Sequence, residues 1–209
     1  MKNILTSALL ALGLAGSLTA TPISFDFKDP KGVNNVQFKL DAIVEAISGH
    51  ANGITGIVSF DPDAPEATTG KIIVAANTMT VSNTMMTQHL RSDQWLDVAA
   101  NPEITFELGK LSNVKTTDVP DGKRTTADVT GKLTIKGVTK EITTPVKITY
   151  LPDALEKRTK PGNKGDLLVV RAEFTVTRKD FGIKPGQMED KVSDEIGLYV
   201  AIVGTAPKS

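Results

Sequence analysis

Residues 127–150 read Ala-Asp-Val-Thr-Gly-Lys-Leu-Thr-Ile-Lys-Gly-Val-Thr-Lys-Glu-Ile-Thr-Thr-Pro-Val-Lys-Ile-Thr-Tyr. Apolar or small side chains alternate with polar ones on both sides of Gly137, which predicts two strands that meet at a turn. Each strand has one apolar face. Such strands belong to antiparallel sheets, because the strands of a parallel sheet are apolar on both faces. This stretch therefore predicts an antiparallel, all-β fold.

The same alternation recurs along the chain between short polar turns. It is found at residues 36–40, 54–60, 70–80, 104–108, 168–176 and 196–202. About eight strands or more of this kind form either a closed barrel or a sandwich. A barrel of eight strands is just wide enough to hold one small ligand. Gly56, Gly131 and Gly197 interrupt strand patterns, and glycine in a strand marks a bend, a bulge or a close approach by a ligand.

Two segments depart from the strand pattern. Residues 85–98 have apolar side chains at helical spacing, with Ser92 available as a cap, and they contain Trp95, the only tryptophan. Irregular segments of a regular scaffold often carry function. Residues 178–182, Arg-Lys-Asp-Phe-Gly, are interpreted as the end of a strand that turns at the glycine and exposes its charges.

The first 20 residues have the layout of a secretory signal peptide. Lys2 is followed by an uncharged run rich in Leu, Ala and Gly at residues 4–18, and then by small residues. The run is shorter than the roughly 20 residues that a membrane-spanning helix needs. We therefore expect residues 21–209 to form one domain that is periplasmic or secreted. The chain has no cysteine, so disulfides and a cysteine-linked lipid anchor are excluded.

Charge and histidine content exclude several classes of function. The chain has 24 lysines and arginines and 24 aspartates and glutamates. Residues 1–20 contain one lysine and no acidic residue, so residues 21–209 have 23 positive and 24 negative side chains, a net charge of −1. This balance gives no electrostatic argument for binding nucleic acid. His50 and His89 are the only histidines and lie far apart, so we predict no metal site and no cofactor.

His89 has two interpretations. It is either a polar group at the mouth of an apolar cavity or an interior histidine whose hydrogen bond ties the helical segment to the sheet. Arg91 likewise either pairs with Asp93 or Asp97 or anchors an anionic head group. Ser92 lies one helical turn from His89, but the chain has no Gly-x-Ser-x-Gly motif, so we predict no catalytic residue.

Four blocks of sequence resemble the YceI-like family of polyisoprenoid-binding, lipocalin-like proteins of the bacterial periplasm. The blocks are Gly56-Ile-Val-Ser-Phe-Asp-Pro-Asp-Ala-Pro-Glu66; His89-Leu-Arg-Ser-Asp-Gln-Trp-Leu-Asp97 with Asn101-Pro-Glu-Ile-Thr-Phe106; Val129-Thr-Gly-Lys-Leu-Thr-Ile-Lys-Gly-Val-Thr-Lys140; and Thr177-Arg-Lys-Asp-Phe-Gly-Ile183 with Val192-Ser-Asp-Glu-Ile196. The resemblance implies an eight-stranded antiparallel, lipocalin-like barrel with a short helical segment around residues 85–98. It also implies that the barrel holds a long isoprenoid or similar lipid for transport, storage or stress protection, without catalysis.

The residues expected to contact this ligand are large apolar side chains that face inward, together with the polar groups of the helical segment. They are Phe38, Val58, Phe60, His89, Leu90, Arg91, Trp95, Phe106, Leu133, Ile148 and Phe174.

The chain departs from the family pattern in two places. The family usually has Asp-x-x-His-Ser near its first strand, whereas this chain reads Asp29-Pro-Lys-Gly-Val-Asn34, without a histidine. The family also usually has Arg-Asp two residues before the helix histidine, and this chain has Met86-Thr87 there. These changes favour a neutral head group, such as a quinone or an amide, over a pyrophosphate. Two other functions stay open: an enzyme that acts on an isoprenoid lipid through His89, and a ligand-free stress or interaction module. Transient contact with a membrane or membrane redox proteins, and a homodimer, also stay open.

Overall fold

Strands make up most of the chain that the computed structural model describes, which is residues 21–208. The predicted signal peptide lies outside these residues. The one α-helix among them is α1 (Thr84–Arg91), and short 3-10 turns occur at Pro65–Ala67, Ala76–Thr78, Leu155–Lys157 and Lys179–Phe181. The strands are β1 (Ile23–Asp26), β2 (Asn35–Asp41), β3 (Ala46–Ala51), β4 (Ile54–Phe60), β5 (Thr69–Ala75), β6 (Thr80–Val81), β7 (Glu103–Val119), β8 (Gly122–Ile135), β9 (Val138–Leu151), β10 (Gly165–Thr177) and β11 (Glu195–Pro207).

Eight of these strands close into an antiparallel barrel, which confirms the predicted fold and excludes the sandwich. They pair in the order β1-β4-β5-β7-β8-β9-β10-β11, and β1 returns to β11 where Asp26 lies opposite Thr205. The hairpin of β2 and β3 continues the sheet along the other half of β11, and the two-residue β6 pairs with β3. Within residues 21–208, no helix is long and apolar enough to cross a bilayer.

The hairpin of β8 and β9 is built as its sequence predicts. Ile135 lies opposite Val138, and the two turn residues Lys136 and Gly137 both have positive φ, at 49° and 74°. Two positive φ angles in a two-residue loop match the twist of the flanking strands, and glycine adopts the second one without strain. One face of each strand is buried, and between them these faces contribute Ala127, Val129, Leu133, Ile135, Val146 and Ile148 to the core.

Glycines inside the strands make room for aromatic rings. A side chain at Gly49 would collide with the ring of Phe38, which is its partner across the β2–β3 pair, and one at Gly131 would collide with the ring of Phe106. Close approach by an aromatic ring, and not by a ligand, therefore explains the glycine at 131. At Gly197 an added methyl group would have only the Lys39 carbonyl oxygen nearby, at 3.7 Å, so space does not explain that glycine.

The helix ends earlier than its sequence pattern predicts. It begins after Asn83, whose side chain caps it by accepting a hydrogen bond from the Met86 amide at 3.0 Å, and it ends at Arg91. Ser92 lies at its C-terminal end, where its hydroxyl donates to the His89 carbonyl at 2.7 Å. Residues 92–101 continue as a series of tight turns. These turns still direct Trp95 and Leu96 towards the core, which is why the spacing resembled a longer helix.

The barrel closes at a seam where β1 and β2 meet β11, and the side chain of Asn34 bridges it. Residues 27–34 leave the sheet between β1 and β2. The Asn34 Oδ1 accepts a hydrogen bond from the Val203 amide at 2.9 Å, and its Nδ2 donates to the Val203 carbonyl at 3.0 Å and to the Phe27 carbonyl at 3.1 Å. The amide side chain thus pairs with Val203 as a neighbouring strand residue would.

Asp29 and Arg158 hold Asn34 in place. The Asp29 carboxylate accepts hydrogen bonds from the amides of Val33 and Asn34 at 2.7 and 2.6 Å. Arg158 Nη2 donates to Asp29 at 2.9 Å and to the Asn34 Oδ1 at 2.7 Å. Burial opposes ionisation of Asp29, but the backbone donors and the charge of Arg158 hold the pKa of its carboxyl below the ordinary value of 3.8. The ion pair therefore persists at neutral pH.

Replacing Asn34 by Ala should destabilise the barrel strongly. The change removes the partner of three backbone groups at a position that is 1% exposed, and each buried polar group left without a partner costs about 1–3 kcal/mol. We expect the free energy of unfolding, measured by urea titration, to fall by at least about 3 kcal/mol. Asn35→Ala, which removes an exposed side-chain hydrogen bond to Val33, is the control and should change it by about 0.5 kcal/mol or less. Equal losses in both variants would contradict the role of Asn34.

Candidate functional site: an apolar cavity in the barrel

The barrel encloses a cavity of about 690 Å³. Its wall includes members of two buried clusters, one around Phe27, Phe60 and Leu168 near the seam and one around Leu133 and Phe181 near α1. The cavity therefore extends from one cluster towards the other. Its volume lies in the range of about 300–1,000 Å³ that is typical of small-molecule sites.

The structure brings ten of the eleven predicted contact residues to the wall of this cavity. They are Phe38, Val58, Phe60, His89, Leu90, Trp95, Phe106, Leu133, Ile148 and Phe174. The eleventh, Arg91, is not among the lining residues, because its Nε donates a hydrogen bond to the Met79 carbonyl at 3.0 Å. Arg91 thus ties the end of α1 to the chain before β6. Contact of any of these residues with a ligand stays a prediction.

The cavity opens to solvent between three segments. The lining residues that are also exposed are Glu45 in the turn between β2 and β3, His89 in α1, and Met188 and Lys191 in residues 182–194. We call this opening the mouth and residues 182–194 the mouth segment. His89 is exposed there, so its interpretation as an interior histidine is wrong and its placement agrees with a polar group at the mouth.

The mouth segment is organised by Arg178, which sequence reasoning placed among exposed charges. That interpretation is wrong, because Arg178 is only 1% exposed. Its guanidinium donates five hydrogen bonds to backbone carbonyls, at distances of 2.8–3.2 Å; the acceptors are Ile183, Lys184, Gln187, Val192 and Ser193. A guanidinium has five N–H donors, so each donor has an acceptor. This complete pairing compensates the loss of hydration that makes a buried cation costly.

Trp95 connects the mouth segment to the turns that follow α1. The Arg178 guanidinium carbon lies 5.8 Å from the centroid of the indole ring, and Lys184 Nζ lies 5.0 Å from it. Cations at such distances are attracted to the face of an aromatic ring. Trp95 and Lys184 also line the cavity, so the attraction shapes its wall at the mouth.

The two departures from the family pattern occupy different parts of the molecule. The Thr87 hydroxyl accepts from the Val81 amide and donates to the Val81 carbonyl, both at 3.1 Å, which fastens α1 to β6. Met86 lines the cavity and gives this side of the mouth an apolar surface. Residues 29–34 lie at the seam, and none of them is a lining residue, so that departure concerns barrel closure and not a head group.

A second polar cluster lies at the end of β10 away from the mouth. The Asp166 carboxylate, which is 1% exposed, accepts hydrogen bonds from Lys208 Nζ at 2.7 Å, the Asp153 amide at 2.8 Å and the Tyr150 hydroxyl at 3.0 Å. Burial opposes its ionisation, but these donors hold the pKa of Asp166 below 3.8. Burial and the hydrogen bond to Asp166 raise the pKa of Tyr150 to about 12. The cluster joins the ends of β9, β10 and β11.

No cluster of metal-ligating side chains is found in the part of the chain that the structure describes. Across residues 21–208, no group of three or more His, Asp or Glu side chains is placed to hold an ion.

A closed eight-stranded antiparallel barrel with an apolar cavity is the architecture of lipocalin-like proteins. The model of the YceI-like domain matches residues 29–204 of the sequence. The chain belongs to the YceI-like family.

Relatives and solved structures agree with this assignment. A UPF0312 protein of Pseudomonas aeruginosa strain LESB58 is 30% identical over 202 residues, which cover 95% of this chain and 96% of that protein. BcnA of Burkholderia cenocepacia has a TM-score of 0.63 at 19% identity, covering 81% of this chain and 95% of that one. A polyisoprenoid binding domain from Saccharophagus degradans, implicated in plant cell wall breakdown, has a TM-score of 0.64 at 13% identity, covering 90% and 100%. At these identities the two structures show the shared fold alone.

Replacing Arg178 by Lys should loosen the mouth segment. Lysine keeps the charge but has three donors on one atom, so it cannot reach carbonyls on all sides as the guanidinium does. We expect a loss of about 3 kcal/mol or more in stability and faster amide hydrogen exchange in residues 183–193. The reciprocal change at its exposed neighbour, Lys179→Arg, is the control. It should change neither the free energy of unfolding nor the amide exchange of residues 183–193. Unchanged exchange in Arg178→Lys would show that the segment is held by other contacts.

Proposed function

We propose that the protein binds a long apolar lipid, an isoprenoid or a chain of similar character, and holds it in the barrel for transport or storage. The observation that carries this proposal is the 690 Å³ cavity, whose wall is almost wholly aliphatic and aromatic. Apolar cavities of this kind take up apolar molecules, because their walls otherwise lack contacts.

The apolar wall can supply most of the favourable free energy of binding without strong polar contacts. Burying one methylene contributes about 0.8 kcal/mol, so about ten methylenes contribute about 8 kcal/mol before the costs of association. Association itself costs at least about 4 kcal/mol, so each further methylene that the wall covers adds directly to the net affinity. The similar structure from Saccharophagus degradans is that of a polyisoprenoid binding domain, and we extend that class of ligand to this chain as part of the proposal.

A neutral head group fits the chemistry of the mouth. Glu45 and Lys191 give the mouth charges of both signs, Met86 adds an apolar surface, and all five donors of the nearby Arg178 are used by backbone carbonyls. Lys184 lies over the Trp95 ring. This arrangement favours a head group that accepts hydrogen bonds without a full charge, such as a quinone or an amide.

The polar groups near the mouth favour holding a ligand over reacting with it. The Ser92 hydroxyl donates to the carbonyl of His89 and not to its imidazole, and Arg91 donates to the Met79 carbonyl. An enzyme that used His89 and Arg91 would need both groups directed at one reacting atom. The other alternative, a barrel filled by its own side chains, requires that there be no continuous cavity, and the 690 Å³ space argues against it.

We also propose that the protein is periplasmic or secreted. This rests on the sequence of residues 1–20, with its basic start, apolar run and small residues. N-terminal sequencing of the protein recovered from cell fractions tests it. A protein that begins at Met1 and remains in the cytoplasm would contradict the proposal.

Filling the cavity should abolish lipid binding. Ala172 lines the cavity, whereas its neighbour Glu173 is exposed on the outer face of β10. We expect wild-type protein purified from its native host to yield a bound prenyl or similar long-chain lipid on extraction and mass spectrometry. Ala172→Trp should yield at least about tenfold less, because the indole takes the place of lipid, and Glu173→Trp should match the wild type.

Two results would count against this function, and a third would count against the neutral head group alone. If no lipid is recovered from any form, or if Ala172→Trp retains as much as Glu173→Trp, the cavity is not the binding site. If the recovered lipid is a prenyl pyrophosphate, the neutral head group is wrong while lipid binding stands. Circular dichroism of both variants checks that each barrel has folded.

A further inference from the structure

We propose that the mouth docks on the surface of a lipid bilayer through a rim of exposed apolar side chains, so that lipid passes between the membrane and the cavity. The rim consists of Ile43 and Val44 in the turn between β2 and β3, Met85 in α1 and Met188 in the mouth segment. The inference rests on the proposed function, since it names where the cavity would exchange its ligand.

Four of the seven large apolar side chains that are clearly exposed in residues 21–208 belong to the rim. Ile43 is 95% exposed, Val44 and Met85 are each 65% exposed, and Met188 is 46% exposed. Only three other large apolar residues of this region are comparably exposed: Val33, Ile57 and Tyr199. Single exposed apolar residues need no explanation, but a group of them at one place marks an interaction site.

Three of the four rim residues are tied to the mouth by a specific contact or position, and the fourth, Ile43, directly precedes Val44 in the turn. Met188 itself lines the cavity. The Val44 amide donates a hydrogen bond to the Asp190 carbonyl at 3.0 Å, which holds the β2–β3 turn against the mouth segment. Met85 precedes His89 by four residues on α1, so both lie on one face of the helix, and His89 lines the cavity.

The form of the rim fits a bilayer better than a protein partner. Its side chains project from three separate segments around an opening, whereas a stable protein interface needs a continuous, well-packed surface. A group of apolar side chains that project from separate segments can enter the interfacial region of a membrane without a matching shape on the other side. A long-chain lipid that crossed from membrane to cavity through water would expose all its methylenes, and docking of the mouth avoids this.

The charges around the rim predict how docking depends on salt. The cavity lining at the mouth includes Glu45, Lys184, Lys191 and His89, and the mouth segment adds the carboxylates of Glu189 and Asp190. With both signs present, attraction to anionic lipid contributes little, and the apolar side chains supply the affinity. Binding should therefore occur on zwitterionic vesicles and persist at high salt, which screens charge but not apolar burial.

Vesicle sedimentation with the full chain tests the proposal. We expect wild-type protein to partition onto phosphatidylcholine vesicles, at low and high salt alike. The double variant Ile43→Ser/Met85→Ser should reduce the partition coefficient by about tenfold or more, because two apolar side chains no longer enter the lipid. The control Val33→Ser/Ile57→Ser removes two exposed apolar side chains away from the mouth and should partition as the wild type does.

A second measurement separates docking from ligand binding. The neutral apolar fluorophore N-phenylnaphthylamine, added without vesicles, reports on the cavity in each form. Loss of sedimentation in the rim variant with unchanged uptake of the fluorophore supports docking through the rim. Equal sedimentation of the rim and control variants, or sedimentation of the wild type that high salt abolishes, would overturn it. If the wild type takes up no fluorophore but its sedimentation still depends on the rim, docking stands and the proposed function fails.

Discussion

The barrel depends on the pairing of one side chain with one strand residue, Asn34 with Val203. An open curved sheet would expose its apolar inner face and the unpaired edges of its first and last strands. Closure buries that face and pairs those two strands with each other. At the seam β1 has already left the sheet and β2 has not yet begun, so the Asn34 amide supplies the donor and the acceptor that a backbone would supply. Asp29 and Arg158 fix the amide in that orientation. The Asn34 bridge thus fills the gap between the pairing of β1 with β11 and that of β2 with β11, and the enclosed cavity depends on a closed seam.

Two further features keep the closed barrel open inside. Phe38 lies against Gly49, Phe106 against Gly131, and Phe27 against Gly204, so these rings occupy space that strand side chains would otherwise take. At the mouth, the five hydrogen bonds of Arg178 hold a segment that has no strand or α-helix of its own. The wall and the mouth are thus shaped by contacts between side chains and backbone, which fix positions without filling the lumen.

The strand alternation and the family blocks predicted the barrel and ten of the lining residues, because a period of two specifies which side chains face inward. Arg178 was missed since a polar residue just after a strand looks the same whether it is buried or exposed, and its partners are carbonyls that leave no trace in the sequence. Asn34 was missed for the same reason. The helix was predicted too long because the turns after Arg91 also bring Trp95 and Leu96 to the core. The ends of β7 and β8 next to their connecting turn are rich in threonine and lack the apolar alternation that identifies a strand. The hydroxyls of Thr116 and Thr125 join them.

The seam also determines when the protein can fold. Asn34 and Val203 are 169 positions apart in the chain, so the bridge cannot form until β11 has been synthesised. Folding slows as contacts become less local in sequence. Until the last strand arrives, the first strands have an uncovered apolar face and free edges, the two features that promote aggregation of partly folded chains. The same closure that encloses the cavity in the finished barrel thus makes the chain vulnerable to aggregation until its last strand is in place.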